Sequence, residues 1–152
     1  MKNLMKIAGL ILLLTQNTIT MAQQSYEVIA RITPPDPDMS GIAVSSDNRV
    51  FLGFPRHADN HKEFALAELV NGKLFPFPNK EIVYPLEKPY NEWLVSPHGM
   101  YIDKNDVLWI LDDGKRAGQK KIPEGAAKVV AVDIHSKKNT AYSSYLKVRS
   151  FR

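Results

Sequence analysis

His98 stands in the run Ser96-Pro-His-Gly99, and a neutral imidazole in a turn can take up or release a proton or ligate a metal near neutral pH. The plainer alternative is a polar loop residue. Arg56, in Phe54-Pro-Arg-His57, carries the planar guanidinium that clamps a carboxylate or phosphate through paired N–H donors, or else makes a surface ion pair. Asp112 and Asp113 precede Gly114, where carboxylates can bind calcium or polarise a substrate, or close an Asp-Asp-Gly turn by accepting from backbone donors. One of the two is expected to play the second, structural part. His57 and His61 flank Asp59 at a spacing that holds a metal only on a helical face, and that segment has no helical pattern. Asp103-Lys-Asn-Asp106 lacks the central glycine and distal glutamate of an EF-hand loop and reads as a hairpin turn. Lys115-Arg116 and Lys120-Lys121 read as a solvated charged loop.

The elements that carry these residues are short and β-rich. Gly41–Val44, Arg49–Phe54, Phe64–Leu69 and Lys73–Phe77 are four strand candidates separated by Ser45–Asn48, a polar loop and the hairpin pair Asn71-Gly72. The order returns in Gly99–Ile102, Val107–Leu111, Ala127–Ile134 and Thr140–Tyr145, with turns at Asp103–Asp106 and Ser136–Asn139. An offset of 58 residues aligns Gly41 with Gly99, Phe51 with Trp109 and Leu52 with Ile110. Repeated four-stranded units of this period predict an all-β chain. They predict about two blades of an incomplete β-propeller, blade one at about 41–77 and blade two at about 99–145; a sandwich or meander is the alternative. The unbroken apolar run Val107-Leu-Trp-Ile-Leu111 predicts a strand covered on both faces. Ten prolines argue against long helices.

That architecture predicts where the chemistry gathers. If β-rich runs starting at Gly41 and Gly99 are innermost strands, Ser40 and His98 share one rim with Pro55-Arg56-His57 and Asp112-Asp113-Gly114. The loops 58–63 and 115–125 then overhang this rim, where function is grafted on a rigid scaffold. His98 and Arg56 are the expected catalytic pair, with Ser40, His57 and Asp112 as ligand-binding residues.

Composition sets the context. Lys2 and Lys6, the apolar run Ile7–Leu14 and the small residues before Gln23 form a secretory signal over residues 1–22, and the run is too short to span a bilayer. The mature part, 23–152, is expected to be secreted or periplasmic, with no membrane anchor after cleavage. Two of the 20 lysines and arginines, and none of the 16 acids, lie in that signal. The near-balanced remainder shows no clustered basic face, so nucleic acid is not an expected partner. With no cysteine there is neither disulfide nor thiolate metal site. No Gly-x-Ser-x-Gly, phosphate loop or dinucleotide fingerprint is present.

Arg49-Val-Phe-Leu-Gly-Phe-Pro-Arg56, Leu74-Phe-Pro-Phe-Pro78, His98-Gly-Met-Tyr-Ile-Asp103 and, most specifically, Leu108-Trp-Ile-Leu-Asp-Asp-Gly114 together resemble the major royal jelly/yellow family over most of residues 26–146. The resemblance implies an exported six-bladed propeller, of which this chain carries the N-terminal part. It implies an activity related to L-dopachrome tautomerase, or binding of a small aromatic or quinone-like ligand, with no cofactor. His98 is then the proton carrier and Arg56 attracts a carboxylate. Gluconolactonase-like propellers share part of the pattern; there Ca2+ or another divalent ion is held with Asp113. A non-catalytic binding or structural protein, inactive as a fragment, is the third reading. Open blade edges and apolar faces are expected to drive self-association, and three copies would close a ring.

Overall fold

A computed structural model of the chain describes residues 26–85, 87–136 and 139–140. The expected signal at 1–22 and the end of blade two beyond Thr140 lie outside the described residues. The described part is mostly β, in two antiparallel meanders. The first consists of β1 (Gly41–Val44), β2 (Val50–Gly53), β3 (Leu66–Val70) and β4 (Lys73–Pro76). The second consists of β5 (Pro97–Ile102), β6 (Val107–Asp112), β7 (Lys128–Asp133) and the two-residue β8 (Asn139–Thr140). Strand order follows chain order in both sheets, and the expected strands fall on the observed ones to within a few residues.

Turn chemistry fixes the registers. Asn48, Asn71 and Asp106 adopt positive φ at the β1–β2, β3–β4 and β5–β6 corners, where these residue types tolerate the left-handed region. The Asn71-Gly72 hairpin sets Val70 opposite Lys73 and Leu69 opposite Leu74. At the β5–β6 corner the Asp103 carboxylate accepts from the backbone N–H groups of Asn105 and Val107 and from Trp109 Nε1 at 3.0 Å. Those bonds, the Trp109 bond first, hold its pKa below the usual carboxylate range.

One buried cluster joins the sheets. It includes Phe51, Phe54 and Leu66 from the first sheet and Leu108, Ile110 and Val132 from the second. Register places Met100, Ile110 and Val130 on one face of the second sheet, with Ile102, Leu108 and Val132 beside them. Arg49 ties the seam at its far end: it grips Glu68 through two nitrogens, at 2.7 and 2.9 Å, and donates to Ile134 O at 2.8 Å. Ser46 Oγ adds a bond to Asp106 Oδ2 at 2.9 Å.

β6 departs from expectation. Its continuous apolar run is covered on one face only: Leu108 and Ile110 are buried, whereas Trp109 and Leu111 on the opposite face are 37% and 51% exposed. Tyr101, directly across from Trp109, is 65% exposed. The proline-rich connection 77–97 holds one four-residue helix, α1 (Lys80–Val83), capped by the Asn79 side chain on Ile82 N, and a 3-10 turn at Tyr90–Glu92. No helix among the described residues is long and apolar enough to cross a membrane.

The sheets meet closely where β1 runs beside β5. A Cβ at Gly41 would stand 2.8 Å from His98 O and 2.8 Å from Met100 Sδ. The methionine can move, but the backbone carbonyl cannot without shifting β5. Gly41→Ala is therefore expected to destabilise the fold by about 1–3 kcal/mol through overpacking, read as a lower urea midpoint with an unchanged denaturant slope. An unaltered midpoint would mean that the seam is looser than described.

Candidate functional site

Four of the expected residues come together at one end of the two sheets. Ser40 immediately precedes β1, His98 lies on β5, His57 follows the β2 exit and Asp113 follows β6. Ser40 Oγ is 3.4 Å from His98 Nδ1. His98 Nε2 is 3.4 Å from Asp113 Oδ2, close enough for charge attraction but not aligned as a hydrogen bond, and it is shielded from solvent without another partner. The His57 ring lies 4.6 Å from that of His98, tilted by 50°. The His98 and Asp113 side chains are 32% and 40% exposed, so the group is open to a ligand. Asp113 Oδ1 is occupied by Lys115 N at 2.9 Å, which orients the carboxylate with Oδ2 toward the imidazole.

Arg56 is not part of this open cluster, which corrects its assignment as an anion clamp. It is completely buried. A guanidinium has five N–H donors, and each is directed at a backbone carbonyl: Nε at His61, Nη1 at Leu94 and Val95, Nη2 at Glu63 and Val83. No donor remains for a substrate carboxylate. Desolvation, then the charge of Arg116, lowers its pKa to about 10, which leaves it a cation at neutral pH. The Trp93 ring sits 5.5 Å from its central carbon and 5.8 Å from that of Arg116. Sequence gave no warning of this role, because the five acceptors are main-chain atoms.

Asp112 is likewise structural, correcting its placement among the ligand-binding residues. It is fully buried and accepts four hydrogen bonds, from Val95 N at 2.7 Å, Ser96 N at 2.8 Å, Gly114 N at 3.0 Å and Lys128 Nζ at 2.8 Å. The adjacent aspartates therefore have opposite fates. Asp112 ends β6 pointing inward; Asp113, one residue on, faces the open end.

The overhanging loops are tied to this scaffold. Arg116 Nε donates to Asn60 Oδ1 at 2.7 Å, and Ala117 N donates to Arg56 O at 2.7 Å. His61 Nε2 lies 3.2 Å from Phe54 O, and its pKa is lowered, first by burial and then by the Arg56 charge. His61 thus turns away from a shared metal with His57, and among the described residues no three His, Cys, Asp or Glu side chains converge as a divalent ion would require.

Replacing Arg56 by Lys leaves at most three donors for five buried carbonyls. At about 1–3 kcal/mol for each carbonyl left unpaired, Arg56→Lys is expected to lose about 2–6 kcal/mol of stability in chemical denaturation. A loss below 1 kcal/mol would show that the carbonyl cage is not holding the connection. No protein-family model matches this chain, and no curated protein matches its sequence.

Proposed function

We propose that the chain is part of an exported, royal jelly/yellow-like β-propeller that binds a small aromatic or quinone-like molecule over His98 and moves a proton within it. The two sheets are its first two blades, and the reaction is a tautomerisation of the dopachrome type. One observation carries the site: the part-exposed His98 imidazole sits at an open end among Ser40, His57 and Asp113, and its Nε2 has no aligned hydrogen-bond partner. His98 would accept a proton from a ring carbon and return it to the carbonyl oxygen of the same molecule, so that no oxidant or cofactor enters the balance. The Asp113 carboxylate stabilises the imidazolium formed between the two transfers, and the exposed His57 ring beside it offers an aromatic face on which the ligand can stack.

In this reading Arg56 supports the site and does not touch the ligand. The alternative is a divalent-ion lactonase that uses Asp113, and a calcium dependence of activity or stability would favour it. The test is loss of the dopachrome chromophore at fixed pH, corrected for the spontaneous reaction. The full chain is expected to accelerate it, and His98→Ala to reduce the catalysed rate by about 100-fold or more. Equal rates for the two proteins, with binding retained, would favour a non-catalytic ligand-binding protein.

The apolar faces left open are also assigned a partner. By the 58-residue offset, Ala43 and Phe51, which are buried, correspond to Tyr101 and Trp109, which are open, while Ile42 and Val44 are 57% and 53% exposed on the other sheet. The open side of one copy's second sheet is thus the counterpart of a surface that is covered within the chain, which favours head-to-tail self-association. Light scattering on the full chain should give a mass above the 17.2 kDa protomer, and the paired change Tyr101→Ser with Trp109→Ser should return it to the protomer. A wild-type chain that stays at protomer mass at high concentration would sink the idea.

A further inference from the structure

The charged loop 115–125 holds one arginine that its surroundings do not neutralise. Arg49 is paired with Glu68, and Arg56 spends all its donors on backbone carbonyls. Arg116 has no carboxylate within ion-pair distance among the described residues.

Arg116 is nevertheless fixed at both ends. Its backbone N–H donates to Gln119 Oε1 at 3.1 Å and its carbonyl accepts from Gln119 N at 3.1 Å, while Gln119 Nε2 is tied to Tyr90 Oη at 3.2 Å. Its side chain is held by Asn60 Oδ1, 2.7 Å from Nε, and by the Trp93 ring, whose centre lies 5.8 Å from the central carbon. Of the five N–H donors of a guanidinium, the one on Nε is therefore spent. Those on Nη1 and Nη2 have no partner among the described residues, and in this half-buried residue neither nitrogen is sealed from solvent. A tethered guanidinium with its outer donors free is the geometry that takes a carboxylate or phosphate through two parallel bonds.

Charge points the same way. Arg56 is near enough for the charge of Arg116 to help lower its pKa, after desolvation, and Asp112, the acid that acts on Arg56, is already bonded to Lys128 at 2.8 Å. The loops 58–63 and 115–125 together carry five lysines and arginines against three acids, and exposed Lys115, Lys120 and Lys121 form no ion pair. Unbalanced positive charge raises the local concentration of anions. We propose that Arg116 is the centre of an oxyanion site where these two loops are joined, which takes the carboxylate or phosphate group of a small molecule on Nη1 and Nη2 while Asn60 holds Nε. This site stands independently of the His98 reading.

Inorganic phosphate, acetate and chloride are titrated separately into the 15N-labelled full chain at neutral pH and constant ionic strength, and the amide resonances of Ala117 and Gly118 are followed. The indole N–H of Trp109, bonded to Asp103, serves as the internal reference. Phosphate and acetate are expected to move the loop amides and leave the reference in place, with a Kd on the order of 1 mM for the tighter of the two. Either order between them supports the site and identifies its head group. Arg116→Gln should weaken binding at least tenfold. Arg116→Lys, which keeps the charge and loses the fork, should weaken it about fivefold, and Asn60→Ala about threefold by releasing Nε. The paired change Lys120→Gln with Lys121→Gln should cost less than twofold, because exposed charges are screened by salt. Phosphate and acetate binding no tighter than chloride would overturn the assignment. So would undiminished binding by Arg116→Lys, which decides the matter even where Arg116→Gln does not fold, or a loss confined to the lysine pair.

Discussion

The described fold depends on a cation caged by backbone. Arg56 leaves β2, is withdrawn completely from water and spends its five N–H groups on carbonyls of residues 61, 63, 83, 94 and 95. Burying a charge is costly unless its hydrogen bonds are replaced. Here peptide dipoles replace them, and the guanidinium remains charged even with its pKa lowered to about 10. Asp112 does the complementary task with the opposite sign, accepting from the N–H groups of Val95 and Ser96. The stretch 94–96 is thereby held by its carbonyls on a cation and by its amides on an anion. Two residues later comes His98, so the placement of the candidate proton carrier is inherited from two buried charges that never meet the ligand.

This division explains which parts were legible in the sequence. Strands and corners were, because alternation, Asn71-Gly72 and the Asp/Asn turns act through neighbours in the chain. The gathering of Ser40, His57, His98 and Asp113 was legible too, since it follows from strand direction once four-strand units are recognised. Arg56 and Asp112 were misread as ligand contacts. Their partners are main-chain atoms, and a carbonyl from any residue type serves equally well, so no spacing or motif marks the cage. The setting of Trp93 is hidden for a related reason: its two cationic neighbours, Arg56 and Arg116, come from distant loops.

Glycine at the seam shows how close the tolerances are. β1 approaches β5 so nearly that Gly41 has no room for a methyl group, and the atom in the way is the carbonyl of His98 itself. At Gly114 the constraint is stricter: φ is +70° and a Cβ would lie 2.4 Å from Ala127 N. That glycine follows the two aspartates and lets the chain turn so that one carboxylate stays inside while the other emerges. Small residues thus determine the spacing of the candidate site as much as its charged ones do.

The same register that builds the core also decides what remains open. Phe51 is buried because its face of the first sheet meets the second, and Trp109, at the corresponding position of the second sheet, lies on a face with no described neighbour. Its partial shelter comes from its own sheet: Tyr101 stands opposite, and Asp103 takes the indole N–H. A soluble surface at this position would be expected to alternate to polar residues, as half-buried strands do. Instead β6 keeps Trp109 and Leu111, which with Tyr101 make this open side apolar. Exposure in β6 reflects the absence of a neighbouring face among the described residues.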